Sequence, residues 1–329
     1  MKTSAYSAWV AATIAAAVAW PEVAVPAQAM RYPTKPIRIV NPFTPGGSVD
    51  IVARAMAQKL NEAWGQPVIV DNRPGGGTTI GTGMVARAAP DGYTLLTTTG
   101  TIAVNVSLYR NLSFDAVKDL APIALVVQTP NVLGVHPSLP AKSVHELINL
   151  AREKPGQVIY ASSGAGTSTH LTMEMFKSAA KIDLLHVPYK GGGPAVAALL
   201  GGEVHAIFNP PSAILPQARA GKVRALAVSS GQRVEIAPEL PTIAESGVPG
   251  FESIVWYAMF APAGTPPDIT RQLNAEINRI LQQPDAREHF LRIGMVPVGG
   301  TMEALGEFLK IEIARWAKVV KEAGIKPIE

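Results

Sequence analysis

Short apolar runs and amphipathic helical stretches alternate along this chain. Residues 36–41 (PIRIVN), 67–70 (PVIV), 93–99 (YTLLTTT), 157–162 (QVIYAS), 203–208 (EVHAIF) and 223–229 (VRALAVS) are rich in Val, Ile, Leu, Tyr or Thr and predict strands. Between them the apolar positions take helical spacing. Val52, Met56, Leu60 and Trp64 share one face before Gly65 ends the helix. Ser143 and Glu146 form a capping-box pattern ahead of LINLAREKPG. Thr265 followed by Pro266 and Pro267 opens a helix through Leu281, since proline suits a first turn. Leu305, Leu309, Trp316 and Val320 stripe the last helix. This alternation predicts an α/β fold with largely parallel sheets. No internal repeat and no low-complexity linker interrupts it, so two domains, if present, are joined by strands.

The first 29 residues stand apart. Lys2 is followed by an apolar run from Ala8 to Trp20, and Ala27-Gln28-Ala29 has the small-x-small form of a cleavage site. A spanning helix needs roughly 20 apolar residues, so the run predicts a secretory signal cleaved before Met30, and an exported, soluble mature protein. Losing Lys2 and Glu22 together leaves the net charge at +4, without a basic run. That weighs against nucleic acid and leaves small anions open. With no cysteine in the chain, thiol nucleophiles, redox pairs and cysteine-held metals are excluded.

In an open α/β sheet, ligands sit at the carboxyl ends of strands. Glycine turns occupy such ends at Thr44-Pro45-Gly46-Gly47-Ser48 and at Ser163-Gly164-Ala165-Gly166-Thr167-Ser168. A third, Gly75-Gly76-Gly77-Thr78-Thr79, follows VIVDNRP. Glycine permits close backbone approach, and a helix N-terminus offers free N–H groups with a positive dipole end. No nucleotide-loop motif fits these turns. Reacting groups are scarce, because neither a G-x-S-x-G elbow nor H-E-x-x-H occurs. His170 and Glu174 lie one helical turn apart but lack a third ligand, so neither metal nor cofactor is expected. Asp50 reads as a first-turn carboxylate that complements its helix dipole.

PFTPGGSVDIVAR, NRPGGGTTIG, SSGAGTSTHL, HVPYKGGGPAVAALLGGEV and WYAMFAPAGTP follow in order over nearly the whole mature chain. Together they resemble the Bug-type periplasmic receptors, the solute-binding proteins of tripartite tricarboxylate transporters. The resemblance implies a two-domain, type II-like periplasmic-binding-protein fold with the ligand cleft between domains. Domain 1 is expected at 30–130 plus 256–329 and domain 2 at 131–255, with crossings near Gln128–Asn131 and Ser253–Trp256. It implies ligand contacts from Phe43, Thr44, Pro45, Gly46, Gly47, Asp50, Thr78 and Thr79 on one side. Ser162, Gly164, Gly166, Thr167, His170, Tyr189 and Asn209 are expected on the other. The implied partners are a small carboxylate and the membrane components of such a transporter, with the receptor a monomer and not an enzyme. An exported hydrolase or lyase using Asp50 and His170 is the alternative, and it requires those side chains to be adjacent.

The chain departs from the family at Val204-His205-Ala206-Ile207-Phe208-Asn209, where many members carry acids in a V-D-x-x-F-D pattern. His205 is expected on the surface and Asn209 at the cleft. Losing both acids removes the natural partner of an ammonium group, which favours a ligand without an α-amino group.

Overall fold

The computed structural model describes residues 32–322, so the predicted signal segment lies outside the described residues. The chain begins with β1 (Ile37–Asn41), α1 (Ser48–Trp64), β2 (Val68–Asn72), α2 (Thr79–Ala86), β3 (Thr94–Thr99) and α3 (Thr101–Leu108). The long β4 (Leu120–Pro130) runs into β5 (Val132–Val135), followed by α4 (Val144–Glu153), β6 (Ile159–Ser162), α5 (Ser168–Ala180) and β7 (Leu185–Pro188). Next come α6 (Gly192–Leu200), β8 (Ala206–Asn209), α7 (Pro211–Arg219) and β9 (Arg224–Val228). The chain closes with β10 (Ile254–Pro262), α8 (Pro267–Gln282), α9 (Pro284–Arg292), β11 (Val296–Pro297) and α10 (Met302–Glu322).

Two sheets result, ordered β11-β4-β10-β3-β1-β2 and β7-β6-β8-β5-β9. They are mixed rather than largely parallel. β1 runs parallel to β2 and β3, while β10 runs antiparallel to β3 and β4. In the second sheet β6 is parallel to β7 and β8, while β5 is antiparallel to β8 and β9. The antiparallel strands are those at which the chain passes between sheets. β4 leads into β5 through Asn131, and Ser253 leads back into β10. Those passages are tied by buried polar groups. The Asn131 amide donates to Ser229 Oγ at 2.8 Å, the Ser253 amide donates to Ser229 O at 2.8 Å, and the Thr172 and Ser253 hydroxyls share a bond of 2.7 Å.

Local chemistry explains the helices. In α1, Val52, Met56 and Leu60 are buried at i, i+4 spacing, and Gly65 closes it in the left-handed region (φ 64°). In α4 the Glu146 amide donates to Ser143 Oγ at 3.1 Å, a cap worth ~1 kcal/mol. The Glu146 carboxylate accepts from Lys142 N, one residue before the position a standard capping box uses. Leu305, Leu309 and Trp316 of α10 join Leu96, Trp256 and Phe260 in the core of the first sheet. Phe176, Phe208 and Phe251 pack in the core of the second. Among the described residues no helix is long and apolar enough to cross a membrane.

Candidate functional site

The turns after β1 and β6 face a common cleft with the start of α6 and the ends of β3, β8 and β10. Its lining is Phe43, Gly47, Ser48, Val49, Thr99, Ser163, Thr167, Ser168, Thr169, Gly192, Asn209, Pro210, Val255 and Tyr257. None of these side chains is ionised. Three helices begin here, α1 after Gly47, α5 after Thr167 and α6 after Gly191, and none carries a side-chain cap. The first-turn amides of a helix have no partner within it. Ser48, Val49, Ser168, Thr169 and Gly192 therefore present N–H donors to one small volume, each helix adding the positive end of its dipole. α7 also starts at the cleft, but Pro210 and Pro211 deprive it of donors at those positions.

The cleft is closed down to about 20 Å³, far below the roughly 300–1,000 Å³ of a small-molecule pocket. Glycines at the meeting surfaces permit this approach. A side chain on Gly191 would collide with Thr44 Oγ1, one on Gly166 with Leu108, and one on Gly77 with Tyr109 and Ala165. A larger recess of about 510 Å³ lies between α1, α8 and α9. Its cations Arg54, Lys59 and Arg292 are already paired with Asp50, Glu62, Asp285 and Glu288, so it offers an anion less.

The expected site residues divide into three groups. Phe43, Gly47, Thr167 and Asn209 line the cleft. Others hold its turns. Asp50 is buried and accepts from the Gly46 amide (3.0 Å), Arg54 Nε (2.8 Å) and Asn72 Nδ2 (2.9 Å). Burial pushes its carboxyl up, but those three donors outweigh burial and hold it below the usual carboxylate range. Ser162 Oγ bonds His186 Nε2 at 2.7 Å and accepts from the Gly164 amide, while His170 Nδ1 accepts from the Gly166 amide at 3.1 Å. Thr44 and Pro45 face Gly191 and Gly193 across the closure. The third group is engaged elsewhere: Thr78 accepts from Asn105, Thr79 donates to Gly76 O, and Tyr189 donates to Glu203 at 3.4 Å.

His205 is half-buried rather than on the surface. Its Nδ1 accepts from the Ile159 amide at 2.9 Å, so the ring satisfies a β6 donor. Glu174 accepts from Tyr160 and Lys177, which commits it away from any metal role with His170. Asp50 and His170 serve separate turn-holding networks, so the acid–base pair that the hydrolase or lyase alternative requires is not assembled.

Ser48, Thr99, Ser163, Ser168, Thr169, Gly192, Val255 and Tyr257 also line the cleft. The serines, Thr169 and Gly192 adjoin recognisable turns and could have been found by extending each turn into its helix. Thr99, Val255 and Tyr257 arrive through the order of the strands, which no local pattern announces.

Behind the α5 turn the rings of His170 and His186 stack at 4.1 Å, with Tyr160 stacked on His186 at 4.8 Å. Burial and then Lys177 lower His170 to about 4. Burial, then His170 and Lys177 lower His186 to about 3 against the opposing pull of Glu174. The usual value is 6.5, so below it the unfolded chain binds protons that the folded chain refuses. Stability is therefore fully present above pH 7 and is lost progressively as the pH falls through 4 toward 3, at about 1.36 kcal/mol per pH unit for each ring. Urea midpoints at pH 7 and pH 5 check this. His186→Phe, which keeps a ring in the stack, should flatten the slope, and an unchanged slope contradicts the assignment.

A mixed α/β fold of two sheets with an anion-ready cleft is the architecture of a solute-binding receptor of the periplasmic-binding-protein type. Comparison with known proteins identifies the group. The family model "Tripartite tricarboxylate transporter family receptor" matches residues 52–325, and the chain belongs to that family. Protein BugT of Bordetella pertussis is 41% identical over 96% of this chain and 97% of its own length. The solved structure of Rpa4515 from R. palustris with adipate superposes with a TM-score of 0.88 at 38% identity, covering 91% of this chain and 100% of that one. MatC (Rpa3494) from Rhodopseudomonas palustris with bound malate gives a TM-score of 0.84 at 32% identity, covering 88% and 100%. Membership in this receptor family places the protein in the periplasm.

Proposed function

We propose that this receptor captures a dicarboxylate lacking an α-amino group and presents it to the membrane components of a tripartite tricarboxylate transporter. The convergence of three uncapped helix N-termini on a cleft without charged side chains carries this reading. Two positive dipole ends on opposite sides suit a ligand with an anion at each end. Adipate and malate, bound by the two relatives, both have that form. An ammonium group would find neutral acceptors such as Asn209 Oδ1 and the lining hydroxyls but no carboxylate in the cleft lining, since Asp50 is committed to Arg54, Asn72 and Gly46.

The two lobes are assigned to 30–130 plus 256–329 and to 131–255, hinged where Asn131 and Ser253 cross between sheets. One chain supplies both walls of the cleft, which supports action as a monomer. Export depends on a signal cleaved before Met30. Thermal shift against adipate, malate, succinate, aspartate and glutamate tests the ligand class. A ligand at a hundredfold its Kd adds ~2.7 kcal/mol to stability. At least one of the three plain or hydroxylated dicarboxylates should raise the melting temperature, and the two amino acids should not. Stabilisation by aspartate or glutamate alone contradicts the proposal.

A further inference from the structure

Tyr257 sits in the middle of β10, opposite Thr99 of β3 and Val127 of β4, and is fully buried. Its side chain borders the cleft beside Ser48, Thr99 and Val255. The phenol oxygen has no hydrogen-bond partner of good geometry among the described residues. Ser48, the first residue of α1, is the hydroxyl near enough to act on it, countering the upward push that burial gives the phenol. This places the phenol oxygen at the mouth of α1. A buried polar group without a partner is uncommon in folded proteins. A second one lies on the same side, Thr44 Oγ1 in the turn before α1.

The opposite side of the cleft differs. At α5, Thr167 Oγ1 donates to Gly164 O at 2.7 Å and Thr169 Oγ1 accepts from the Ser163 amide at 2.9 Å. That wall spends those two threonine hydroxyls within its own turn, while the α1 wall keeps the buried Tyr257 phenol and Thr44 Oγ1 without partners of good geometry beside its amides. The two ends are chemically unequal.

We infer that Tyr257 is a specificity-determining residue that donates its phenol hydrogen to the carboxylate held at the N-terminus of α1, so that the receptor selects ligands with a second carboxylate over chain-matched monoacids. This rests on the dicarboxylate reading above and names the group that reads the second acid. A phenol is a suitable donor, because its high pKa keeps the proton on oxygen at neutral pH. A hydrogen bond to a charged acceptor is stronger than one between neutral groups. Replacing Tyr257 by Phe removes the oxygen and keeps the ring that packs against β3 and β4.

Calorimetric titration of the wild type and of Tyr257→Phe with adipate and with hexanoate tests the inference. The wild type should prefer adipate, and the preference should shrink at least tenfold in Tyr257→Phe, mainly through weaker adipate binding. The melting temperature of the ligand-free variant should stay close to that of the wild type, because the hydroxyl lost has no partner of good geometry. A preference that survives unchanged overturns the inference. So does a ligand-free variant that melts lower with its preference intact, since the hydroxyl would then be structural. A wild type that binds no dicarboxylate at all removes the dicarboxylate reading itself, and the role of Tyr257 with it.

Discussion

Gly47→Val is expected to weaken dicarboxylate binding by more than about 100-fold while leaving the melting temperature of the free protein within a degree or so of wild type. Gly47 has φ −79° and ψ 169°, an extended conformation that valine adopts readily. A Cβ there meets only Thr44 O, at 3.6 Å, an ordinary contact. The added methyl groups would stand in the cleft, in front of the Ser48 and Val49 amides. Hydrogen bonds to charged groups are worth about 1.5–3 kcal/mol each, so losing two exceeds the tenfold step of about 1.4 kcal/mol several times over. Calorimetric titration and differential scanning calorimetry measure both quantities. Normal affinity in a cooperative variant would mean that the α1 terminus is not the anion site.

Gly191→Val should also impair binding, for a different reason. Its φ of 138° is unfavourable for any side chain, and a Cβ would run into Thr44 Oγ1 across the closure. The variant is expected to stay open, to lose affinity at least tenfold, and to show no ligand-induced contraction by small-angle scattering. Gly201→Ala, at the far end of the same helix, has φ −76° and a Cβ there meets nothing closer than Ala197 O at 3.5 Å, an ordinary contact, so it serves as the control. Wild-type affinity and contraction in Gly191→Val would remove closure from the account. Gly166→Val belongs to this class too, because the Gly166 face is turned to Leu108 rather than toward the ligand volume.

That contrast shows where reading the sequence ends. Strand-to-helix turns are legible because glycine after a Val/Ile run and before a helical period has few alternative uses. The direction each glycine faces depends on what lies across the cleft, so Gly47 and Gly166 look alike in sequence and do different work. Asp50 was legible as a first-turn carboxylate, and its bonds to Gly46 and Arg54 follow from that position. The antiparallel β4 and β10 were not legible as strands. β4 carries Pro122 and Pro130, and β10 is apolar throughout because both of its faces are buried. Neither shows the alternation that marks a half-exposed strand. With β10 unread, Tyr257 could not be placed at the cleft. His205 misled for a related reason. A polar residue beside an exposed glycine pair reads as surface, whereas its ring is recruited by the Ile159 amide, 46 positions away in sequence.

Helix-terminal amides, not charged side chains, are expected to hold the ligand. Amide ¹H–¹⁵N correlation spectra recorded while malate or adipate is added test it most directly. The largest downfield proton shifts are expected on Val49, Ser168, Thr169 and Gly192, saturating together with a single Kd. Saturable binding that leaves those amides unmoved and perturbs Arg54, Lys59 and Arg292 around the larger recess would contradict it.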